Sequence, residues 1–160
     1  MITIETFAPR HAEAVAALIL PIQRSEFGIP ITLDDQPDLR DVPGVYQRGA
    51  GNFWVALKDE AVVGTIAVID IGDGQGVVRK MFVRGDQRGG TPSVAQRLLD
   101  VLVTWCRTHG LRTLSLGTTA PMRAAHRFYE RNGFHEIAPN ALPAGFPRMA
   151  VDTKFYRRAL

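Results

Sequence analysis

Alternation of apolar and polar residues at the start of the chain predicts a strand over Ile2–Phe7 with one face towards solvent. Apolar residues then recur at helical spacing and predict a helix that Pro21 kinks or ends. Its apolar face consists of Val15, Leu18, Ile19 and Ile22. The following segment, Gly28–Gly44, is punctuated by proline and aspartate, which predicts a loop with a short helix.

Two strands joined near Asp59 and Glu60 are predicted next, over 52–59 and 61–74. The second of them is apolar on both faces, which is typical of a central strand. Another strand is predicted over 77–83, after the glycine-rich turn 72–76.

The second half of the chain alternates helices with short strands. An amphipathic helix is predicted between Thr91 and Gly110. Its apolar stripe is Val94, Leu98, Val101, Leu102 and Trp105, widened by Ala95, Leu99 and Cys106. A strand over 111–119, a helix over 121–133 and two strands over 134–140 and 148–156 follow. The sequence therefore predicts an α/β fold, with one mixed, mostly antiparallel twisted sheet of six to seven strands and helices on both faces.

Length and composition predict one domain spanning 1–160, because 160 residues can bury one complete core but not two. The net charge of +3 and the 22% of charged residues are ordinary for a folded chain. There is no signal-peptide pattern, no apolar run long enough to span a bilayer, and a single cysteine, Cys106. These features predict a soluble cytoplasmic protein without a disulfide and without a membrane partner. The four histidines show no pairing with cysteine or carboxylates, so no metal site is predicted.

A basic, glycine-rich turn lies between the strand that ends at Val83 and the following helix. Glycines 89 and 90 let the backbone approach a ligand closely, and a helix start offers unpaired N–H groups at the positive end of its dipole. We interpret Thr91 as the N-cap and Pro92 as the first helical residue. The amides of residues 93–95 would then bind an anion such as a phosphate.

The same residues allow other interpretations. Gly-Gly-Thr-Pro is also a good strand-to-helix connection with solvated arginines beside it. The excess of positive charge between Arg79 and Arg97 also fits a polyanion. It lacks the interleaved aromatic residues of a nucleic-acid surface, so no nucleic-acid partner is predicted.

Two segments together resemble motifs of the GNAT superfamily of acetyl-CoA-dependent N-acetyltransferases. They are RGGTPSVAQRLL (Arg88–Leu99) and FYERNGF (Phe128–Phe134). Members of that superfamily typically carry Arg-Gly-x-Gly-x-Gly/Ala ahead of one helix and Phe-Tyr-Glu-x-x-Gly-Phe at the end of a later one. Both motifs occur here in the same order and at a similar separation. The resemblance implies a GNAT-like fold with acetyl-CoA as cosubstrate.

The resemblance also implies roles for individual residues. Backbone around 88–95 would hold the coenzyme A pyrophosphate, and the strand 81–83 would pair with the pantetheine arm. Tyr129 matches the tyrosine that gives a proton to the departing thiolate, although it could also be a core aromatic. The coenzyme-binding residues implied are Met81, Phe82, Val83, Arg88, Gly89, Gly90, Thr91, Ser93, Val94, Ala95 and Met122.

The sequence departs from the family pattern in several places. The glycine-rich loop is longer than the commonest form, and Ser93 replaces a usual glycine. Met122 replaces an asparagine that often bonds the pantetheine, so an apolar contact is expected there. Val77 replaces a strand glutamate that often acts as general base. The alternatives are ordered water or one of four side chains: Glu26, Asp70, Asp73 and His126.

The segment that usually walls the acceptor pocket in that fold is acidic here. An acidic wall would attract a protonated amine, but these residues could equally cap turns and face solvent. The acids are Glu26, Asp34, Asp35, Asp38 and Asp41, opposed by Arg24, Arg40 and Arg48. The loop around Phe146 could cover the other side of the pocket.

The predicted function is transfer of the acetyl group of acetyl-CoA directly to a primary amine of a small molecule or peptide, through a ternary complex. The alternative is a non-catalytic acyl-CoA-binding module of the same fold. Cys106 is predicted to be a core residue rather than a nucleophile. A homodimer is possible if the segment 149–156 forms an edge strand.

Overall fold

The computed structural model describes all residues from Met1 to Leu160. They form one seven-stranded sheet with helices on both faces. The strands are β1 (Ile2–Thr6), β2 (Asn52–Lys58), β3 (Ala61–Asp70), β4 (Gln75–Val83), β5 (Thr113–Thr118), β6 (His135–Ile137) and β7 (Lys154–Ala159). The helices are α1 (Ala12–Pro21), α2 (Pro37–Arg40), α3 (Val42–Val45), α4 (Val94–Thr108) and α5 (Arg123–Arg131).

The strands lie in the order β1-β2-β3-β4-β5-β7-β6. All neighbours are antiparallel except β4 and β5, which are parallel. The predicted mixed, mostly antiparallel sheet is therefore confirmed. The parallel pair is short, because only Gln75–Val77 pairs with Thr113–Ser115. Beyond Val77 the two strands diverge, and the split between them determines where a ligand can enter the sheet.

Two apolar clusters cover the two faces of the sheet. Strand β2 contributes Trp54 to the cluster that contains α4, and it contributes Phe53 to the cluster that contains α1. This division follows from the strand period of two, which sends neighbouring side chains to opposite faces. Cys106 lies fully buried in the first cluster, as predicted, and burial raises its pKa to about 12. A thiol that stays protonated is a poor nucleophile.

The predicted end of the first helix is confirmed, whereas the predicted start of the last helix is wrong. Helix α1 ends at Pro21 and continues as a wider turn over Ile22–Glu26. Helix α5 begins at Arg123 rather than Pro121, because a tight turn with the bond from Arg123 N to Pro121 O precedes it.

The last strand is also shorter than predicted, and it is not an edge. It begins at Lys154, because residues 149–152 form a turn that is closed by the bond from Asp152 N to Met149 O. Strand β7 pairs with β5 on one side and β6 on the other. Dimerisation through the segment 149–156 as a free edge is therefore ruled out, and the edges are β1 and β6. None of the helices combines the length and the apolarity needed to cross a bilayer.

Candidate active site

A cavity of about 110 Å³ lies in the split between β4 and β5, and we call it the inner cavity. One wall is the strand segment Val78–Phe82, and the other is Gly117–Thr119. Helix α5 contributes Tyr129, and the loop before β7 contributes Phe146 and Asp152. The loop around Phe146 thus forms part of the wall of this cavity. The cavity exists because β4 has no pairing partner on the β5 side after Val77.

A second space of about 380 Å³, which we call the outer groove, runs from the split to the start of α4. Its apolar side is formed by β4, by α5 and by Ile22 and Phe27 at the end of the first helical segment. By this segment we mean α1 and the wider turn that follows it. Four residues line both the groove and the inner cavity, so the two spaces are contiguous: Met81, Phe82, Met122 and Ala125.

The far end of the groove is built from backbone. Gly89 and Gly90 adopt φ of +83° and +85°, a conformation that side chains other than glycine rarely tolerate. No amide of residues 89–91 or 93–95 donates to a protein acceptor, because the first helical bond runs from Arg97 N to Ser93 O. Unpaired amides at the start of a 15-residue helix are suited to an anion.

The N-cap of α4 is Ser93, not Thr91. Ser93 has extended backbone, and its Oγ accepts a hydrogen bond of 3.1 Å from the backbone N–H of Gln96. Helix α4 therefore begins at Val94, and Pro92 lies before the cap rather than in the first turn. The prediction of the cap was wrong because a serine two residues later is at least as good an N-cap as threonine.

Arg88 lies on the groove, but its guanidinium is already occupied. Its Nε donates to the carbonyl of Val83 at 2.9 Å, and its two terminal nitrogens form a two-point ion pair with Glu26. The hydrogen bonds from Arg88 lower the pKa of Glu26, and the same pair raises the pKa of Arg88. In this arrangement the pair joins the glycine-rich turn to the end of the first helical segment.

Tyr129 lies at the inner cavity and is also part of the core. Its side chain is buried, and its ring makes edge contacts with Phe128 and Phe134 at centroid distances of 5.7 and 5.5 Å. Burial is the cause that raises the pKa of its hydroxyl well above the ordinary value. The hydroxyl therefore stays protonated over the physiological range.

A buried polar network lies beneath the inner cavity. Lys80 donates to Gln36 Oε1 at 2.6 Å and lies 3.3 Å from Asp38 Oδ2. Tyr46 donates to the same Asp38 oxygen at 2.5 Å, and the amides of Gln23 and Gln36 bond each other reciprocally. Burial lowers the pKa of Lys80, and the Asp38 carboxylate opposes that change. The lysine charge is thus compensated inside the protein.

Asp152 brings a carboxylate to the inner cavity. Its Oδ2 accepts the backbone N–H of Met149 at 2.9 Å. Gly117 leaves room for it, because a Cβ there would come 2.6 Å from the same oxygen. Burial raises the pKa of Asp152, while Arg79, Arg148 and Lys80 oppose the rise. A carboxylate of raised pKa beside a cavity is a better proton acceptor than an ordinary aspartate.

Residues 17–134 match the model of the family described as Acetyltransferase (GNAT) family. The chain belongs to this family.

Relatives agree with that assignment. The crystal structure of an acetyltransferase of the GNAT family from Staphylococcus aureus Mu50 is 35% identical and superimposes with a TM-score of 0.96 over 100% of this chain and 99% of that chain. An acetyltransferase structure from Streptococcus agalactiae 2603 is 28% identical, with a TM-score of 0.93 over 99% of this chain and 98% of that chain. N-acetylaspartate synthetase of Danio rerio is 30% identical over 75% of this chain but only 43% of its own length. The chain thus spans less than half of that relative.

The GNAT resemblance identified most of the groove residues. Nine of the residues implied by it line the outer groove: Met81, Phe82, Val83, Arg88, Gly89, Gly90, Ser93, Ala95 and Met122. Two do not, because Thr91 is exposed away from the groove and the Val94 side chain is buried in the core. Arg131 lines the groove and was missed, although it lies within the Phe128–Phe134 motif.

None of the side chains considered as replacements for the GNAT glutamate lines either space. Glu26 is paired with Arg88, and His126 Nε2 bonds the carbonyl of Thr119 at 2.9 Å. Asp70 and Asp73 lie at the turn between β3 and β4, where β4 is still paired with β5. Val77 itself is fully buried in that parallel pair. Asp152 was missed because its segment was predicted to be strand.

The acids considered as a wall of the acceptor pocket do not line the inner cavity. The loop uses its own acids: Asp34 pairs with Arg40, Asp35 accepts from Thr32, and Asp41 caps the amide of Gly44. Asp38 is held by Lys80 and Tyr46, and no acid of this segment lines the inner cavity. The turn-capping interpretation therefore holds for Asp35 and Asp41.

The basic residues between Arg79 and Arg97 do not form one surface. Arg84 pairs with Asp86, Arg88 with Glu26, and Lys80 is buried. Arg97 donates to the carbonyl of Ile2 at 2.9 Å. Only Arg79 lacks such an engagement, and it faces the inner cavity. No group of three or more histidine, cysteine, aspartate or glutamate side chains lies close enough to hold a metal ion.

Proposed function

We propose that this GNAT chain transfers the acetyl group of acetyl-CoA directly to a primary amine of a small molecule or peptide, within a ternary complex. The observation that carries the proposal is the contiguity of two spaces with different chemistry. The outer groove ends in unpaired amides, and the inner cavity holds an acid hydroxyl and a carboxylate. Two substrates that meet at the shared residues Met81, Phe82, Met122 and Ala125 can react without a covalent enzyme intermediate.

The groove fits the parts of coenzyme A in order. The amides of Gly89, Gly90 and Ser93–Ala95 suit the diphosphate, because they combine free donors with the positive end of a helix dipole. The apolar side chains of Met81, Phe82 and Met122 suit the pantetheine arm. The thioester supplies an electrophilic carbonyl carbon, which then lies at the junction of groove and cavity.

Tyr129 and Asp152 divide the proton transfers between them. Asp152 accepts a proton from the ammonium group, and the neutral amine attacks the thioester carbon. An N–C bond forms and the C–S bond breaks. The nitrogen releases its second proton to solvent to leave a neutral amide, and the departing thiolate takes the proton of the Tyr129 hydroxyl. Solvent then returns a proton to Tyr129 and removes one from Asp152. Both groups lie at the inner cavity, so this assignment requires no rearrangement of the sheet.

The relatives support amine acetylation without naming the acceptor. One is N-acetylaspartate synthetase and another, from Azospirillum brasilense, is an IAA acetyltransferase. Their acceptors differ, so the family alone leaves the acceptor of this chain open. A cytoplasmic location is part of the proposal, because a single buried cysteine suits a reducing compartment.

The test is release of free thiol from acetyl-CoA over a panel of primary amines. Turnover on at least one amine, lost in Tyr129→Phe, supports the enzyme. Tight binding of coenzyme A with no turnover on any amine would instead support the acyl-CoA-binding module.

A further inference from the structure

Two neighbouring cationic residues of β4, Arg79 and Lys80, both line the inner cavity. Strand β4 has one residue more than β3 between their paired positions, since Thr65 faces Phe82 and Ala67 faces Arg79. At this bulge Lys80 adopts φ of +55°, and its carbonyl accepts the Thr65 hydroxyl at 2.6 Å. In a regular strand, Arg79 and Lys80 would face opposite sides of the sheet. Here both line the inner cavity.

The two cations differ in their partners. Lys80 is compensated by Asp38 and Gln36, as described above. The guanidinium of Arg79 has a single hydrogen bond, from Nη2 to the thioether sulfur of Met149 at 3.1 Å. Sulfur of this kind is a weak acceptor, and guanidinium carries five donors. Arg79 is therefore a half-buried cation whose hydrogen-bonding capacity is mostly unused.

Asp152 lines the inner cavity together with Arg79, but the two side chains do not form an ion pair. Arg79 lies close enough to lower the pKa of Asp152, yet no nitrogen of Arg79 lies within 4.0 Å of a carboxylate oxygen. Asp152 instead accepts the Met149 amide. The cavity thus presents one separate cationic group and one separate anionic group.

A second unused polar group lines the same cavity. The Thr119 side chain is 9% exposed, and its Oγ1 is buried without a hydrogen-bond partner. A buried hydroxyl without a partner is unfavourable, so it points to a ligand that supplies a hydrogen bond. Arg79 belongs to β4, and Thr119 directly follows β5, so the two groups lie on opposite sides of the split.

We infer that the inner cavity binds an acceptor with a carboxylate, and that Arg79 is the group that recognises it. The acceptor class is then small amino acids, whose carboxylate faces the planar donors of Arg79 and whose ammonium group faces Asp152. The small volume, about 110 Å³, favours free amino acids over the end of a peptide. This inference rests on the proposed acetyl transfer and specifies its substrate.

The test compares each L-amino acid with its carboxamide in the thiol-release assay. The two molecules have nearly the same shape, and only the acid carries the negative charge. The amine of the carboxamide is less basic and thus more often neutral, so a preference for the acid cannot come from amine protonation. We expect kcat/KM to be about 10- to 100-fold higher for the preferred acid than for its amide, the range of one charge-assisted, two-point contact.

Two variants test whether Arg79 causes the preference for the acid. Arg79→Gln is expected to abolish the preference for the acid, so that kcat/KM becomes similar for the acid and its carboxamide. Arg79→Lys should retain part of the preference, because it keeps the charge but loses the planar fork. Arg127→Gln is the matched control, since Arg127 is exposed on α5 and lines neither space. Arg79 has no ion pair to lose, so thermal unfolding of the variants should change little.

The outcomes separate the two proposals. Equal turnover of acids and carboxamides, or a preference that survives in Arg79→Gln, overturns the carboxylate inference and leaves the acetyltransferase standing. Absence of turnover on every acid, amide and peptide amine overturns the proposed function and the inference with it. Better turnover of peptide amines than of free amino acids also overturns the inference.

Discussion

The outer groove and the inner cavity are contiguous, but they are built on different principles. The groove relies on backbone amides, two glycines in a left-handed conformation and apolar side chains, most of them from one stretch of chain. The cavity draws polar side chains from β4, β5, the first helical segment and the loop before β7. Backbone recognition suits a ligand that all members of a family share. Side chains collected from distant segments suit a ligand that differs from one member to the next.

The largest expected effect on kcat comes from removal of the Tyr129 hydroxyl. Tyr129 lines the inner cavity but not the outer groove. Tyr129→Phe should lower kcat by about 10²- to 10⁴-fold and leave the affinity for coenzyme A unchanged, because only the proton donor is lost. Steady-state kinetics and calorimetric binding check both halves.

Tyr156→Phe is the matched control for this variant. Tyr156 is also buried, but its hydroxyl donates to Glu130 at 2.8 Å and lies outside both spaces. A similar loss of kcat in the control would show that a missing hydroxyl in the core, not a missing acid, is responsible.

Asp152→Asn should have the next largest effect, a fall in kcat/KM of about 100-fold at neutral pH. The pH profile gives the sharper readout. A carboxylate of raised pKa becomes protonated at higher pH than an ordinary aspartate, so the wild-type rate falls as pH drops through that raised value. In Asp152→Asn, the fall in rate that is due to protonation of Asp152 should be missing from the pH profile. The fall that is due to protonation of the amine should remain.

Asp70→Asn provides the comparison, because Asp70 lies at the closed end of the split. An unchanged acidic limb in Asp152→Asn would assign proton removal to water instead.

A smaller effect is expected at the groove, where charge can be changed with little change of shape. Gly90→Asp and Gly90→Asn both accept positive φ better than most residues. If a diphosphate binds there, KM for acetyl-CoA should be about 10-fold higher in Gly90→Asp than in Gly90→Asn at low salt, and the gap should narrow as salt rises. KM for the amine should be equal in the two variants. Equal KM values for acetyl-CoA would place the diphosphate elsewhere.

The smallest effect is expected from the N-cap. Ser93→Ala removes the hydrogen bond to Gln96 N and should cost about 1 kcal/mol, or about 2–4 °C in Tm. KM for acetyl-CoA should stay within about twofold, since the backbone amides remain. Thr91→Ala is the control and should not change Tm. A loss of stability in Thr91→Ala instead of Ser93→Ala would restore the cap that the sequence predicted.

The sequence predicted the groove well because its determinants are local. The glycines and the helix start lie within one short stretch of the chain, and the Phe128–Phe134 motif lies within another. Both patterns are visible without a structure. Even there, the choice of Ser93 over Thr91 as N-cap depended on backbone conformation. The pairing of Arg88 with Glu26, 62 residues apart, could not be read from local pattern.

The cavity was largely hidden for physical reasons. Lys80 meets Gln36 only after β4 packs against the loop before α2, and a bulge without glycine carries no sequence signal. Asp152 lies in a segment whose alternation resembles a strand but which folds as a turn. Arg79 was noticed as one of a group of positive charges, and only the fold separates it from the others.

Strand β4 carries consequences for how such an enzyme can diverge. Met81 and Phe82 line both the groove and the cavity, so under the proposed function a change there that admits a new acceptor would also disturb the thioester. Residues of the surrounding loops, such as Ile29 and Phe146, touch the inner cavity alone. Adaptation to a different amine is therefore expected to accumulate in those loops, while the strand between the two ligands stays nearly fixed.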